Sequence, residues 1–381
     1  MDFDLTEEQK LLQSTLRDFA KKEIAPAASS IDKSDQFPAA EVKKMADLGL
    51  FGLTIPEKYG GSGKGLMEFC LAVEELTCAS AAVDDYLRVS LSLGIVPIIQ
   101  FGTEAQKQKY LPPHASGAQM ACFALTEPAA GSDPSGMETT AARRQDGYVI
   151  NGTKCFISIG EQASIAVVFA TVDKTLKGRG ITAFIVEKNT PGFTVGKRED
   201  KLGLHGLIST ELIFEDCFIP AANLLGQEGQ GFKIALGALD ASRVTVGAEA
   251  VGISRAAYEA ALAYAKERKQ FGQPIADFQA IQWMLADMAT QIDAARLLTF
   301  RAARLHDTGK PFVKEAAMAK LFASEVCGSV TSKALQIHGG YGYTKDFPVE
   351  RYFRDAKITE IYEGTSEIMR MTIARSILRE G

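Results

Sequence analysis

"GYVINGTKCFISIG", residues 147–160, interrupts a chain that reads as helix on either side of it. Tyrosine, valine, isoleucine and phenylalanine crowd into this stretch, with an Asn151-Gly152 pair between two β-prone halves, the composition of strands joined at a turn. Similar runs follow at "SIAVVFATV" (164–172), "ITAFIVEKN" (181–189), "FTVGK" (193–197) and "TELIFEDCFI" (210–219). From about Met120 to Gln227 the pattern predicts a β-barrel or sandwich.

Outward from this block the period changes to that of helices. On the N-terminal side Thr6 stands three residues before Gln9, a capping-box spacing, and Leu12, Leu16, Phe19 and Ile24 recur on one face. Further helices are expected in "PAAEVKKMADLGLFG" (38–52), in residues 65–102 and in "EAQKQKYLPPHASG" (104–117). Beyond Gly231 three Ala-rich helical patterns, each far longer than an average helix, imply helix packed on helix. The reading is an α+β multi-domain chain. Residues 1–119 form an N-terminal α-helical domain, 120–228 a middle β domain, and 229–381 a C-terminal four-helix bundle.

At 381 residues, with 46% hydrophobic and 23% charged residues, the chain can bury a large core and a large ligand. A net charge of −5 lacks the basic excess that a nucleic-acid backbone requires. "MDFDLTEEQK" (1–10) has no basic and apolar leader, and no run of about 18 apolar residues occurs, so a cytoplasmic location without a membrane span is expected. Six scattered cysteines fit reduced thiols, and four separated histidines give no metal-ligand spacing. G-x-G-x-x-G after a strand and G-x-x-x-x-G-K-[ST] are both missing, so any phosphate site is built differently. "CFALTEPAAGSDPSG" (122–136) is one candidate, where a β run breaks into a turn with free N–H groups and hydroxyls.

"CFALTEPAAGSD" (122–133), "KCFISIG" (154–160), "ERKQFGQPIADFQAIQ" (267–282), "LQIHGGYGYTKDFPVERYFRDAKITEIYEGT" (335–365) and the closing helix resemble the acyl-CoA dehydrogenases, in order and over essentially the whole chain. The likeness is to short-chain, butyryl-CoA-dehydrogenase-like members of bacterial type. It implies an N-terminal helical domain, a middle β domain and a C-terminal four-helix domain, bound FAD, and oxidation of an acyl-CoA to its 2,3-enoyl-CoA. It also implies a homotetramer and an electron-transferring flavoprotein as electron acceptor.

Residue by residue, the resemblance places Phe123, Leu125, Thr126, Phe156 and Ser158 beside the flavin ring, and Gly131 and Ser132 at the pyrophosphate turn, with Ser132 also near substrate. Arg268, Gln270, Phe271, Gln336, Gly339 and Gly340 would reach the adenosine and pyrophosphate from a neighbouring subunit. Thr365 and Glu367 would lie near the adenosine at a helix N-terminus. Glu363 matches the base that removes the C2 proton, with Tyr362 as an aromatic wall and Gly364 allowing close backbone approach to the thioester. Some relatives place the base where this chain has Ser242, which cannot serve. Asp240 and Arg243 match the CoA side of the cleft, an ion pair within one helix being the plainer reading.

The helix "CASAAVDDYLRVSLSLG" (78–94) departs from the pattern of the family it resembles, since Asp84, Asp85, Tyr86 and Arg88 are polar and bulky where members often show small or apolar residues. A short, branched or cyclic acyl group is therefore expected. Asp84 either faces the acyl tip or pairs with Arg88 on a solvated face. His205, where many relatives carry Arg, is expected to be structural. Other readings on the same fold are an alicyclic (cyclohexane-carboxyl) substrate, an enoyl-CoA reductase, an acyl-CoA oxidase, or a catalytically silent acyl-CoA or flavin-binding module.

Overall fold

The computed structural model describes residues 4–379. Helix α1 (Glu7–Phe19) begins at the expected capping box: Thr6 accepts from the Gln9 N–H and the Gln9 side chain accepts from the Thr6 N–H. Helices α2 (Ala28–Ser34), α3 (Ala39–Asp47), α4 (Leu66–Ala79), α5 (Ala81–Val89), α6 (Val96–Phe101) and α7 (Glu104–Ala115) complete the first region. The long pattern at 65–102 is thus broken. Ser80 is extended (φ −162°, ψ 112°) and ends α4, and a π-helical segment (Ser90–Ile95) separates α5 from α6.

Eight strands form one sheet: β1 (Ala121–Ala124), β2 (Thr140–Arg144), β3 (Gly147–Ser158), β4 (Ile165–Thr171), β5 (Ile181–Glu187), β6 (Phe193–Arg198), β7 (Ser209–Pro220) and β8 (Leu224–Leu225). Their order is β6-β7-β3-β2-β4-β5-β8, with β1 parallel on β4. The Asn151-Gly152 pair makes no hairpin. β3 runs straight through it, and the register against β7 slips between Ile150 and Gly152. Asn151 exchanges two hydrogen bonds with Asp216 across the slip, and Gly152 has φ +148° where an added β-carbon would stand 2.5 Å from Thr139 Oγ1, so the pair builds a bulge.

The last region contains α8 (Gly231–Glu267), a ribbon of β9 (Lys269–Gln270) and β10 (Gln273–Pro274), and helices α9 (Gln279–Asp307), α10 (Val313–His338), α11 (Val349–Ala356) and α12 (Ser366–Arg379). At 1.5 Å per residue, α8 spans roughly 55 Å. Its alanines and valines (Ala235, Ala238, Val244, Ala248, Val251, Ala257) are buried against α4, α9 and α10. One continuous apolar core joins the three regions, so the residues bordering it are held in fixed relation. No helix among the described residues is long and apolar enough to cross a membrane.

Candidate active site

Glu363 lies in the short link between a 3-10 turn (Lys357–Glu360) and α12. Its backbone is left-handed at φ +56°, uncommon for a residue with a side chain, and Gly364 follows at φ +110°. Two cations hold this link from neighbouring helices. Arg243 Nε on α8 donates to the Glu363 carbonyl (3.1 Å), and Lys320 Nζ on α10 donates to the Gly364 carbonyl (2.7 Å). The φ of Gly364 favours glycine, and a β-carbon there would stand 2.6 Å from Met369 Cε, so the end of that side chain would have to move. Burial pulls Lys320 down to about 8 against the neighbouring acids Glu363, Glu360 and Glu249.

The Glu363 carboxyl points inward. Its Oε1 accepts from Arg88 Nη1 at 2.7 Å, while Oε2 is buried with no hydrogen-bond partner. Arg88 Nε also contacts Asp85 Oδ1 (2.6 Å) and Glu249 Oε2 (3.2 Å), and Nη2 donates to the Tyr362 hydroxyl (3.0 Å). That hydroxyl donates in turn to Glu249, and the Tyr362 ring lies 5.1 Å from the Arg88 guanidinium. Burial is the largest influence on Asp84, Asp85 and Glu249 and pushes all three carboxyls up. Several acids thus share one guanidinium.

Helix α5 corrects the sequence reading. All of it is buried, so there is no solvated face, and Arg88 pairs with Asp85 rather than Asp84. Asp84 has no accessible surface; its Oδ2 accepts from Thr77 on α4 (2.7 Å), and its Oδ1 is buried without a hydrogen-bond partner. The pattern rule assumed an exposed helix and named the wrong partner. Arg243 does pair with Asp240 three residues back (2.6 Å) while also gripping the Glu363 carbonyl. Ser242 bonds to Ser92 (2.9 Å). His205 joins the Lys201 carbonyl (2.8 Å) and approaches Asp32 (3.5 Å), a structural setting.

On the β domain, Phe123 and Leu125 are buried at the end of β1, and the turn after them is tied to β3. Cys155 N–H donates to the Thr126 carbonyl (3.0 Å), and buried Lys154 donates to the Leu125 carbonyl (3.1 Å) and pairs with Glu127 (2.7 Å). Glu127 also accepts from the Glu138 and Thr139 N–H groups. The Thr126 turn is thereby held beside β3 next to Phe156, which is 66% exposed at φ +57°, while the Ser158 hydroxyl lies 3.5 Å from that of Ser209. Gly131 and Ser132 sit at the open turn, with nothing within 4 Å of a Gly131 β-carbon. An apolar ring presented beside polar backbone suits a flat aromatic cofactor.

A separate pocket of about 520 Å³ is lined by Arg268, Gln270, Gly339, Gly340 and their neighbours, none from β1 or β3. Gly339 (φ +61°) and Gly340 leave it open, and the Arg268 guanidinium stands 5.6 Å from the Tyr341 ring. A cation and a ring over bare backbone fit a nucleotide phosphate and base. Phe271 beside it is 95% exposed, and Gln336 is exposed on α10. Thr365 caps α12 through the Ile368 N–H (3.4 Å), and Glu367 occupies its first turn.

Sequence reasoning missed Glu249, Lys320, Lys154 and Glu127. A lone acid inside "VTVGAEAVGI" (244–253) was the available signal for Glu249, since an apolar stretch leaves a charge nowhere to go but inward.

The acyl-CoA dehydrogenase N-terminal, middle and C-terminal domain families match residues 6–118, 122–217 and 229–378. Acryloyl-CoA reductase (NADH) of Anaerotignum propionicum is 52% identical, over 100% of this chain and 96% of that protein. Among solved structures, butyryl-CoA dehydrogenase from Megasphaera elsdenii superposes with a TM-score of 0.98 at 47% identity over 100% of both chains. A chain from a structure of the electron transferring flavoprotein of Acidaminococcus fermentans gives 0.98 at 51% identity, also over 100% of both.

Proposed function

The chain belongs to the acyl-CoA dehydrogenase family, a family of FAD-dependent oxidoreductases, and we propose that in it Glu363 removes the C2 proton of a short acyl-CoA thioester. The observation that carries this reading is the buried, unpartnered Oε2 of Glu363. A carboxylate with one oxygen engaged and the other free in a dry site is arranged to accept a proton. FAD, when bound, supplies the hydride acceptor for C3. The Glu363 N–H donates to no protein group among the described residues and would hold the thioester oxygen, where it stabilises developing negative charge. Arg243 and Lys320 hold that peptide link in place.

Phe123, Leu125, Thr126, Phe156 and Ser158 would border the flavin ring, with Gly131 and Ser132 at its phosphates. Arg268, Gln270, Phe271, Gln336, Gly339 and Gly340 would serve the nucleotide end across a subunit boundary, with Thr365 and Glu367 nearby. Exposed Phe271, Trp283, Tyr343 and Leu378 on the C-terminal region support assembly of a homotetramer. Electrons would pass to an electron-transferring flavoprotein, in keeping with the Acidaminococcus relative.

A short acyl group is favoured because the charged cluster of Asp85, Arg88 and Glu249 stands against Glu363, where a long alkyl tail would meet polar atoms. Branched and cyclic groups remain within this reading. Asp240, Arg243, Tyr362 and Gly364 would line the thioester side. A second reading, reduction of a 2,3-enoyl-CoA, is favoured by the likeness to acryloyl-CoA reductase, the same atoms then working in reverse. Anaerobic titration of the yellow enzyme with short, branched, cyclic and long acyl-CoA thioesters tests the reading. Bleaching by the short members is expected, and bleaching by long-chain thioesters alone would overturn it.

A further inference from the structure

We propose that Arg88 is a positioning residue for the base, fixing Oε1 of Glu363 so that Oε2 alone faces the C2 proton. This inference rests on the assignment of Glu363 as base. A free carboxylate can turn either oxygen toward a neighbour, and a Glu side chain has three rotatable bonds. Here Arg88 Nη1 takes one oxygen at 2.7 Å and leaves the other buried and unpartnered, a rare state for a polar atom in a protein interior.

Arg88 can do this because it is itself immobilised. Asp85 one turn back and Glu249 on α8 hold its Nε, and the Tyr362 hydroxyl holds Nη2. Tyr362 and Glu363 are adjacent in sequence, so two N–H directions of one rigid guanidinium grip two neighbouring side chains. The Glu249–Tyr362 bond closes the ring of contacts. Three segments meet at one planar group: α5, α8 and the link before α12. Arg88 makes no contact with the reacting carbons in this scheme, and its contribution lies in where Oε2 points. Misplacing a catalytic group by about 1 Å can cost on the order of 100-fold in rate.

The test separates proton removal from redox chemistry. Acetyl-CoA has no C3, so loss of its methyl deuterium to water, followed by NMR with the FAD-loaded enzyme, reports the base alone. Glu363→Gln should stop this exchange; exchange that continues would overturn the base assignment itself. With that control in hand, Arg88→Met should slow exchange on the order of 100-fold while acetyl-CoA binding changes little, and Arg88→Lys should recover part of the loss. Glu249→Gln, which loosens Arg88 without touching Glu363, should slow exchange by a smaller factor and serves where Arg88→Met does not fold. Exchange at the wild-type rate in Arg88→Met, or in Glu249→Gln where the first variant is not obtained, would reduce Arg88 to a structural strut and overturn the proposal.

Discussion

Arg88 Nη1 lies 2.7 Å from Glu363 Oε1, a contact between residues 275 positions apart in the chain. It joins the first helical region to the last through the acid proposed as the base. A buried guanidinium is costly to desolvate, and Asp85, Glu249 and Tyr362 together offset that cost. The same cluster puts polar atoms beside the proposed base, where they would limit what acyl group fits.

Gly364→Ala should separate backbone conformation from side-chain chemistry. The position needs φ +110°, and an added β-carbon meets Met369 Cε at 2.6 Å. A loss of about 1–3 kcal/mol in unfolding free energy is expected from the strained backbone. The rate of flavin reduction should fall as well, because the Glu363 link shifts. Denaturant unfolding and stopped-flow reduction of the same sample check both, and an unchanged midpoint would contradict the strain.

Lys320 should set an alkaline limit on activity. Burial pulls its ammonium down to about 8, so the cation on the Gly364 carbonyl is lost as pH rises through that value. The rate should decline with a midpoint near 8. Stability runs the other way for this group: between about 8 and the free-lysine value of 10.5 the unfolded chain binds more protons than the native state, so raising pH through that window favours the fold. Lys320→Arg keeps charge and donor and should remove the limb. Burial also pulls Lys154 to about 8, and a limb that persists in Lys320→Arg would point there instead.

Lys154→Met should weaken FAD retention. It leaves Glu127 buried without its cation and frees the Leu125 carbonyl, so the Thr126 turn loses its tie to β3. Breaking one partner of a buried pair costs about 3–5 kcal/mol. A lowered melting temperature together with faster loss of flavin on gel filtration is expected. Wild-type retention would show that β3 holds the turn without this pair.

The helix-strand-helix order could be read from the chain because its signals are local. Thr6 and Gln9 satisfy each other within one turn, and the β-branched runs of β4 and β5 suit strands buried on both faces. What could not be read depends on distant parts of the chain. The Asn151-Gly152 pair signals a turn only if nothing opposes it, and Asp216, 65 residues on, makes it a bulge. The Asp84 and Arg88 spacing signals a pair only on an exposed helix, whereas α5 is buried by α4, α8 and the sheet region. Glu363 itself was legible only through its family resemblance, because a lone acid before a helix ordinarily complements the helix dipole.

The most direct test of the central claim is single-turnover reduction of the FAD-loaded Glu363→Gln enzyme by butyryl-CoA under anaerobic conditions, with thioester binding measured in parallel. Binding within a few fold of wild type and loss of bleaching by several orders of magnitude is the expected result. Bleaching at a rate near wild type would mean that another group takes the C2 proton, and the account of the Arg88–Glu363 site would fall with it.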